Sequence, residues 1–138
     1  MSDRPDLEGQ RLKHAGGQDP IYVVIDGILR WIPNLLIFER LFRDWNIQQI
    51  DLSNITGFNS ANPNTGLYPL PSMTTLVRGG QPEVYLIDYR NILTNDRTLV
   101  KRWVPSPAFM DLYNFDWDDI ANVRQIIIDA IPKGGALA

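Results

Sequence analysis

Two copies of one short motif carry the side chains with the clearest chemical potential. They read Arg30-Trp31-Ile32-Pro33 and Arg102-Trp103-Val104-Pro105, 72 positions apart. On an extended strand, alternate side chains face opposite ways, so each arginine lies between aliphatic neighbours and each tryptophan faces away from it. A partly buried guanidinium requires a carboxylate partner. Four aspartates at matching places in the two copies are candidates for that partner: Asp26, Asp88, Asp44 and Asp116.

The two tryptophans of the motif leave two alternatives open. Trp31 and Trp103 either pack beneath a helix as core residues or project toward a partner. Tryptophan beside polar groups is a common platform on which sugars or bases stack, and it also dominates protein interfaces. The predicted ligand-binding residues on these strands are therefore Arg30, Trp31, Arg102 and Trp103.

A second candidate set lies in a segment that only the second copy contains. The offset between matching residues grows from 62 at Ile25-Asp26 and Ile87-Asp88 to 72 at the motif, so about ten residues, Tyr89–Thr98, are extra. Asn95-Asp96 favours a turn and predicts a longer hairpin there, whereas the first copy has a tight turn at Asp26-Gly27. Loops above a rigid scaffold often carry function, although a tolerated surface insertion is the alternative. The residues expected to contact a ligand are Tyr89, Asn95, Asp96 and Arg97.

The residue types of the chain give little support to a catalytic or metal-binding site. The chain has no cysteine and one histidine, His14, which matches Arg78 in the other copy. Because nucleophilic catalysis usually needs a histidine beside a serine or cysteine, we predict no enzymatic activity, no cofactor and no metal site. The acidic cluster Asp116, Asp118 and Asp119 lacks the glycine and the distal glutamate of a calcium loop. A capping aspartate followed by acids at a helix start explains it better.

Each copy is predicted to position these residues with a strand, a turn, a second strand and a helix. The strands are Ile21–Ile25 and Ile28–Ile32 in the first copy, and Val84–Ile87 and Leu99–Val104 in the second. Asn34 is expected to cap the first helix, and Ser106, followed by Pro107, the second. The tail Gln125–Ile131 is compatible with a strand or a helix, and the polar residues 1–10 are expected to fray.

A hairpin with one short helix buries too little surface to be stable alone. We therefore predict an α+β fold in which two pseudo-symmetric β-hairpin-plus-helix repeats pack as one domain over residues 1–138. Repeat 1 covers about 11–58, a linker about 59–72 and repeat 2 about 73–134. The residues expected in the shared core are Val24, Ile32, Phe38, Leu41, Phe42, Trp45, Leu86, Val104, Phe109, Leu112, Phe115 and Trp117.

Composition narrows the class of partner. With 44% hydrophobic and 21% charged residues the chain is in the globular range. Its net charge of −3 argues against nucleic acid as the partner. No apolar run reaches the roughly 18 residues of a membrane-spanning helix. The start Met1–Asp6 has no apolar core of a secretory signal, which predicts a cytoplasmic location as synthesised, with release by a non-classical route left open.

The second copy contains a longer pattern that resembles a known repeat. It reads Lys-Arg-Trp-Val-Pro-Ser-Pro over residues 101–107, then Asn-Phe-Asp-Trp-Asp-Asp-Ile and Asp-Ala-Ile-Pro-Lys-Gly. This pattern resembles the Lys-Arg-x-Ile-Pro-Ser-Pro repeat of largely uncharacterised bacterial proteins, many of them secreted or surface-associated. The resemblance covers residues 12–58 and 76–134, although the first copy has Leu29 in place of lysine and Asn34-Leu35 in place of Ser-Pro. It implies an accessory or binding role without catalytic residues.

These observations together indicate a non-enzymatic binding module. Its predicted activity is lectin-like recognition of a glycan or cell-surface ligand through aromatic and polar loop residues. The alternative is a module for protein–protein interaction or homo-oligomeric assembly that pairs through strand edges or an aromatic patch.

Overall fold

The first sheet combines two largely apolar strands with two short strands that are mostly polar. The computed structural model describes residues 5–14, 21–45, 47–50 and 68–137, and its strands here are β1 (Arg11–His14), β2 (Tyr22–Ile25), β3 (Ile28–Trp31) and β4 (Gln48–Ile50). Their order is β3-β2-β1-β4, with β1 parallel to β4 and the other pairs antiparallel. Residues 51–67, which include the end of predicted repeat 1 and most of the predicted linker, lie outside the described residues, as does the side chain of His14.

The second sheet has the same strand order and the same pattern of pairing. It contains β5 (Leu76–Arg78), β6 (Val84–Asn91), β7 (Asp96–Val104) and β8 (Ala121–Asn122), ordered β7-β6-β5-β8 with β5 parallel to β8. The predicted long hairpin is confirmed: β6 and β7 pair as far as Asn91 and Asp96 and are joined by a 3₁₀ turn at Ile92–Thr94.

The first hairpin has the predicted tight turn. Asp26 and Gly27 have φ values of +59° and +71°, the two left-handed residues that a type I′ turn requires. The Glu8 carboxylate accepts hydrogen bonds from the backbone N–H groups of Asp26 (2.8 Å) and Gly27 (2.7 Å), and the Tyr113 hydroxyl donates to it. The expectation that residues 1–10 fray is therefore wrong for Pro5–Gln10, because Glu8 provides acceptors that this turn needs.

Three helices complete the described part of the α+β fold: α1 (Leu35–Leu41), α2 (Pro107–Leu112) and α3 (Gln125–Ala130). The Asn34 side chain accepts the Ile37 N–H (3.0 Å), which confirms the predicted cap of α1. Ser106 precedes α2 with Pro107 at the first turn, but its side chain makes no capping hydrogen bond. The tail Gln125–Ile131, which by sequence is compatible with a strand or a helix, forms a helix over Gln125–Ala130. None of these helices is long and apolar enough to cross a membrane.

The main core lies between the inner faces of both sheets, α1 and α2. Of the residues predicted there, those in this core or partly buried against it are Ile32, Phe38, Leu41, Phe42, Leu86, Val104, Phe109 and Phe115. Val24 is also buried, in a smaller cluster on the other face of the first sheet. Phe42 and Phe115 form an isolated backbone bridge, with ring centroids 5.9 Å apart.

Three residues predicted in the core are exposed instead. The exposed fractions are 49% for Trp45, 44% for Leu112 and 44% for Trp117. The helices α1 and α2 have only seven and six residues. A position at the end of so short a helix, or beyond it, no longer follows the helical repeat that would bring it to the buried face.

Irregular segments cover the outer edges of β3 and β7. The Trp31 N–H donates to the Tyr68 carbonyl (3.1 Å), and the Leu70 N–H donates to the Trp31 carbonyl (2.8 Å). Residues 132–137 run along β7 in the same way, where the Leu137 N–H donates to the Trp103 carbonyl (3.0 Å). Residues 68–70, which fall inside the predicted linker, therefore contribute to the first sheet.

Candidate ligand-binding sites

Both motif arginines belong to a cluster of four charges, here called the charge quartet: Arg30, Arg102 and Asp88, which are buried, and Asp26, whose side chain is 40% exposed. Asp88 has no exposed surface and accepts from Arg30 Nη2 (2.7 Å) and Nη1 (3.0 Å) and from Arg102 Nη1 (3.2 Å). Arg102 Nη2 lies 2.8 Å from Asp26 Oδ2. The predicted need for a carboxylate is confirmed, and among the four candidate aspartates Asp26 and Asp88 meet it. The strongest pair joins β3 of one sheet to β6 of the other.

Backbone carbonyls occupy further donors of the two arginines. Arg30 Nε donates to the Tyr68 carbonyl (3.2 Å), and Arg102 Nε donates to the Gly135 carbonyl (2.8 Å). Burial alone would raise the pKa of Asp88, but Arg30 and Arg102 hold it below its usual range. Burial acts against the charge of Arg102 as well, and Asp26 and Asp88 nevertheless raise its pKa. The neighbouring charges thus favour the ionised forms of Asp88 and Arg102, and much of the bonding capacity of the quartet is used inside the protein.

A cavity of about 340 Å³ lies over the charge quartet, walled by the hairpin extension. Arg30, Arg102 and Tyr89, three of the predicted site residues, line this cavity together with Arg90 and Asn91. The other predicted residues of the extension do not line it.

The side chains near the tip of the β6–β7 hairpin interact mainly with one another. Asp96 Oδ2 lies 2.6 Å from Arg90 Nε, Asn95 Oδ1 accepts from Arg97 Nε (2.8 Å), and the Arg97 guanidinium lies 5.4 Å from the centre of the Tyr89 ring. Asn95, Asp96 and Arg97 are thus brought together, but away from the quartet cavity.

A second cavity of about 320 Å³ opens beside the end of β7, and we call it the aromatic groove. Two exposed tryptophans, Trp103 (41%) and Trp117 (44%), line it with two polar residues, Glu83 and Ser106. The remaining lining residues are apolar: Pro82, Val84, Val104, Pro105, Pro107 and Met110.

Local structure explains why both indoles are exposed. Arg102 and Val104 face the core, so Trp103 between them faces outward. Trp117 begins a 3₁₀ turn, Trp117–Asp119, that is held by Asp116, whose carboxylate accepts the Asp118 N–H (2.9 Å). The predicted capping role of Asp116 is confirmed.

The polar groups of the aromatic groove have no partners within the described part of the chain. Glu83 forms no ion pair or hydrogen bond there, and the Ser106 hydroxyl leaves the start of α2 uncapped. Neither indole N–H donates a hydrogen bond to a described residue. The groove therefore combines an apolar surface with free donors and acceptors, the usual composition of a small-molecule site.

The other Asp-Trp pair of the sequence is arranged differently. Trp45, which stands 72 positions before Trp117, stacks on the Phe38 ring with a centroid distance of 4.3 Å and an interplanar angle of 14°. Met110 stands 72 positions after Phe38 and offers Trp117 no ring to stack on. Trp31 is partly buried against the small cluster of Leu12, Tyr22, Val24 and Leu29, and it does not line the aromatic groove.

Sequence reasoning found only part of this groove. Trp103 was predicted to bind a ligand and Trp117 was predicted in the core. Glu83 and Ser106 were not among the predicted ligand-binding residues. The prolines at positions 82, 105 and 107 were a usable signal, because proline lacks a backbone N–H and is therefore concentrated at the ends of strands and the starts of helices. No protein-family model, curated protein sequence or solved structure matched the chain.

Proposed function

We propose that the protein is a non-enzymatic, lectin-like module that binds a glycan in the aromatic groove. One observation carries this proposal: two tryptophans, both more than 40% exposed, line a single groove with a carboxylate and a hydroxyl that have no partner in the described part of the chain. A sugar ring has an apolar face of C–H groups and a rim of hydroxyls. The indoles offer a stacking surface for the face, while Glu83 and Ser106 offer hydrogen bonds to the rim.

We also infer that the chain is a duplication of one unit, in line with its resemblance to the bacterial Lys-Arg-x-Ile-Pro-Ser-Pro repeat. The identical strand order of the two sheets supports this, and so do the matching edge contacts of Leu70 and Leu137. On this proposal the units pack as one domain and have diverged in use, because Trp45 covers Phe38 in the first while the second keeps its groove open. Synthesis in the cytoplasm and non-classical release stay predictions.

A glycan array followed by titration of tryptophan fluorescence tests the proposal. We expect Trp103→Ala and Trp117→Ala each to weaken binding of any array hit about 5- to 150-fold, since stacking on an aromatic side chain is worth about 1–3 kcal/mol. Trp45→Phe is the matched control, because Trp45 is equally exposed but lies outside the groove. Absence of glycan binding, or unchanged affinity in both alanine variants, would contradict the proposal.

One observation favours the alternative of protein interaction or self-assembly. Leu35 and Leu36 are adjacent at the start of α1 and are 60% and 69% exposed. If this surface drives assembly, light scattering will show a mass that rises with concentration and falls back in Leu35→Ser/Leu36→Ser. A mass that does not change with concentration would exclude self-assembly through α1.

A further inference from the structure

We propose that the aromatic groove selects glycans that carry a protonated amine, such as oligomers of glucosamine, over neutral and acidic glycans. This inference rests on the proposed function and names the ligand class that the groove prefers.

The charge of the groove lining is one-sided. Glu83 is the only charged residue among those that line it, and no lysine or arginine is present. Several other carboxylates are already paired with arginine, as Asp88 is with Arg30 and Arg102 and Asp96 is with Arg90. An exposed carboxylate without such a cation is available for a charge-assisted hydrogen bond from a ligand ammonium group.

The faces of the two indoles are also available to a cation. Two other outward-facing rings already carry one: Lys101 Nζ lies 5.2 Å from the centre of the Tyr85 ring, and the Arg97 guanidinium lies 5.4 Å from that of Tyr89. No described cation lies over Trp103 or Trp117. Of the aromatic side chains, tryptophan attracts cations most strongly. A sugar with a protonated amine can therefore form a cation–π interaction with these indoles, which a neutral sugar cannot.

The surroundings of Trp117 add negative potential. Asp118 and Asp119 follow it in the 3₁₀ turn, and Asp116 precedes it. Slight burial and the nearby carboxylates of Asp116 and Asp118 raise the pKa of Asp119, as expected where negative charges crowd. Such a field attracts a cationic ligand and repels a uronate-containing one.

Three probes of equal length separate the alternatives: oligomers of glucosamine, of N-acetylglucosamine and of galacturonate. Binding is followed by tryptophan fluorescence on the full chain at mildly acidic pH and low salt. We expect the glucosamine oligomer to bind about tenfold tighter than its neutral acetylated counterpart, the galacturonate oligomer to bind weakest, and the preference to shrink as salt is added.

The variant Glu83→Gln should reduce this preference, because losing the carboxylate weakens binding of the amine-bearing oligomer more than binding of the acetylated one. Glu83 is exposed, so the substitution leaves the core intact. Glu39→Gln is the matched control, because Glu39 is an exposed carboxylate on α1 outside the groove.

Three outcomes would overturn the inference. If the amine-bearing and acetylated oligomers bind equally, or if Glu83→Gln keeps the preference, the charge argument fails while glycan binding stands. If tetramethylammonium displaces the glucosamine oligomer at equal concentration, the groove recognises the cation alone and no sugar. If none of the oligomers binds and the glycan array is also blank, the proposed function itself fails.

Discussion

Replacing Asp88 by asparagine removes one negative charge from the charge quartet while keeping the size of the side chain. Arg30, with a side chain only 3% exposed, then loses its one carboxylate partner among the described residues, and Arg102 keeps Asp26. Removing one member of a buried ion pair costs about 3–5 kcal/mol, because the remaining charge stays desolvated. Since the asparagine carbonyl still accepts a hydrogen bond, we expect a loss of about 3 kcal/mol, or roughly 10 °C in Tm.

Urea denaturation followed by far-UV circular dichroism measures this loss, with Asp111→Asn as the control. Asp111 Oδ1 lies 2.8 Å from Arg43 Nη2, nearly the same distance as in the Arg30–Asp88 pair, but its side chain is 68% exposed. An exposed pair contributes about 0–1 kcal/mol. If the two variants lose the same free energy of unfolding within about 0.5 kcal/mol, burial of Asp88 adds nothing to the contribution of its ion pairs to stability.

The pH dependence of the same variant gives an independent check. The pKa of Asp88 in the folded protein lies below its ordinary value of about 3.9. Its contribution to stability is therefore complete above about pH 4 and is lost as the pH falls through the folded-state pKa. The unfolding free energies of wild type and Asp88→Asn should converge in acid. A difference that stays constant down to the acid transition would contradict the assignment.

Two further predictions concern close packing and the hairpin extension. A Cβ added at Gly134 would lie 2.5 Å from Val100 Cγ2, so Gly134→Ala should lower the free energy of unfolding by about 1–3 kcal/mol, measured by thermal unfolding. The control is Gly135→Ala, which should be neutral because a Cβ there meets no atom within 4 Å. Replacing residues 89–98 by Asn-Gly removes the buried Ile92, so we expect a folded protein less stable by about 2 kcal/mol; an unfolded product would show that the extension is essential to the core.

Features set by short-range chemistry were predictable from sequence. Asp26-Gly27 specifies a type I′ turn because both residues tolerate positive φ, and Asn34 specifies a helix start through its own side chain. The alternation around Arg102 also predicted its burial and its need for a carboxylate. Which aspartate would serve Arg30 was not predictable, because the candidates are chemically identical and the choice depends on how the sheets meet.

The aromatic groove could not be predicted from the periodicity of hydrophobic residues. Trp45 and Trp117 occur in equivalent Asp-Trp pairs, but the residue seven positions earlier is Phe38 in one case and Met110 in the other, and only Phe38 offers a ring to stack on. Glu83 and Ser106 were equally inaccessible to sequence reasoning, since their significance comes from what they fail to contact. Pairwise contacts of this kind arise only once the backbone has brought the elements together.

The segment along β7 protects a strand edge that would otherwise be open to pairing. The Pro132 carbonyl accepts from the Lys101 N–H, and the Leu137 N–H donates to the Trp103 carbonyl. If residues 132–137 detach, these backbone groups of β7 become a template for a strand of another chain, whereas β3 keeps its cover in Tyr68–Leu70. Detachment of this segment is therefore a route by which the second sheet could extend into an aggregate.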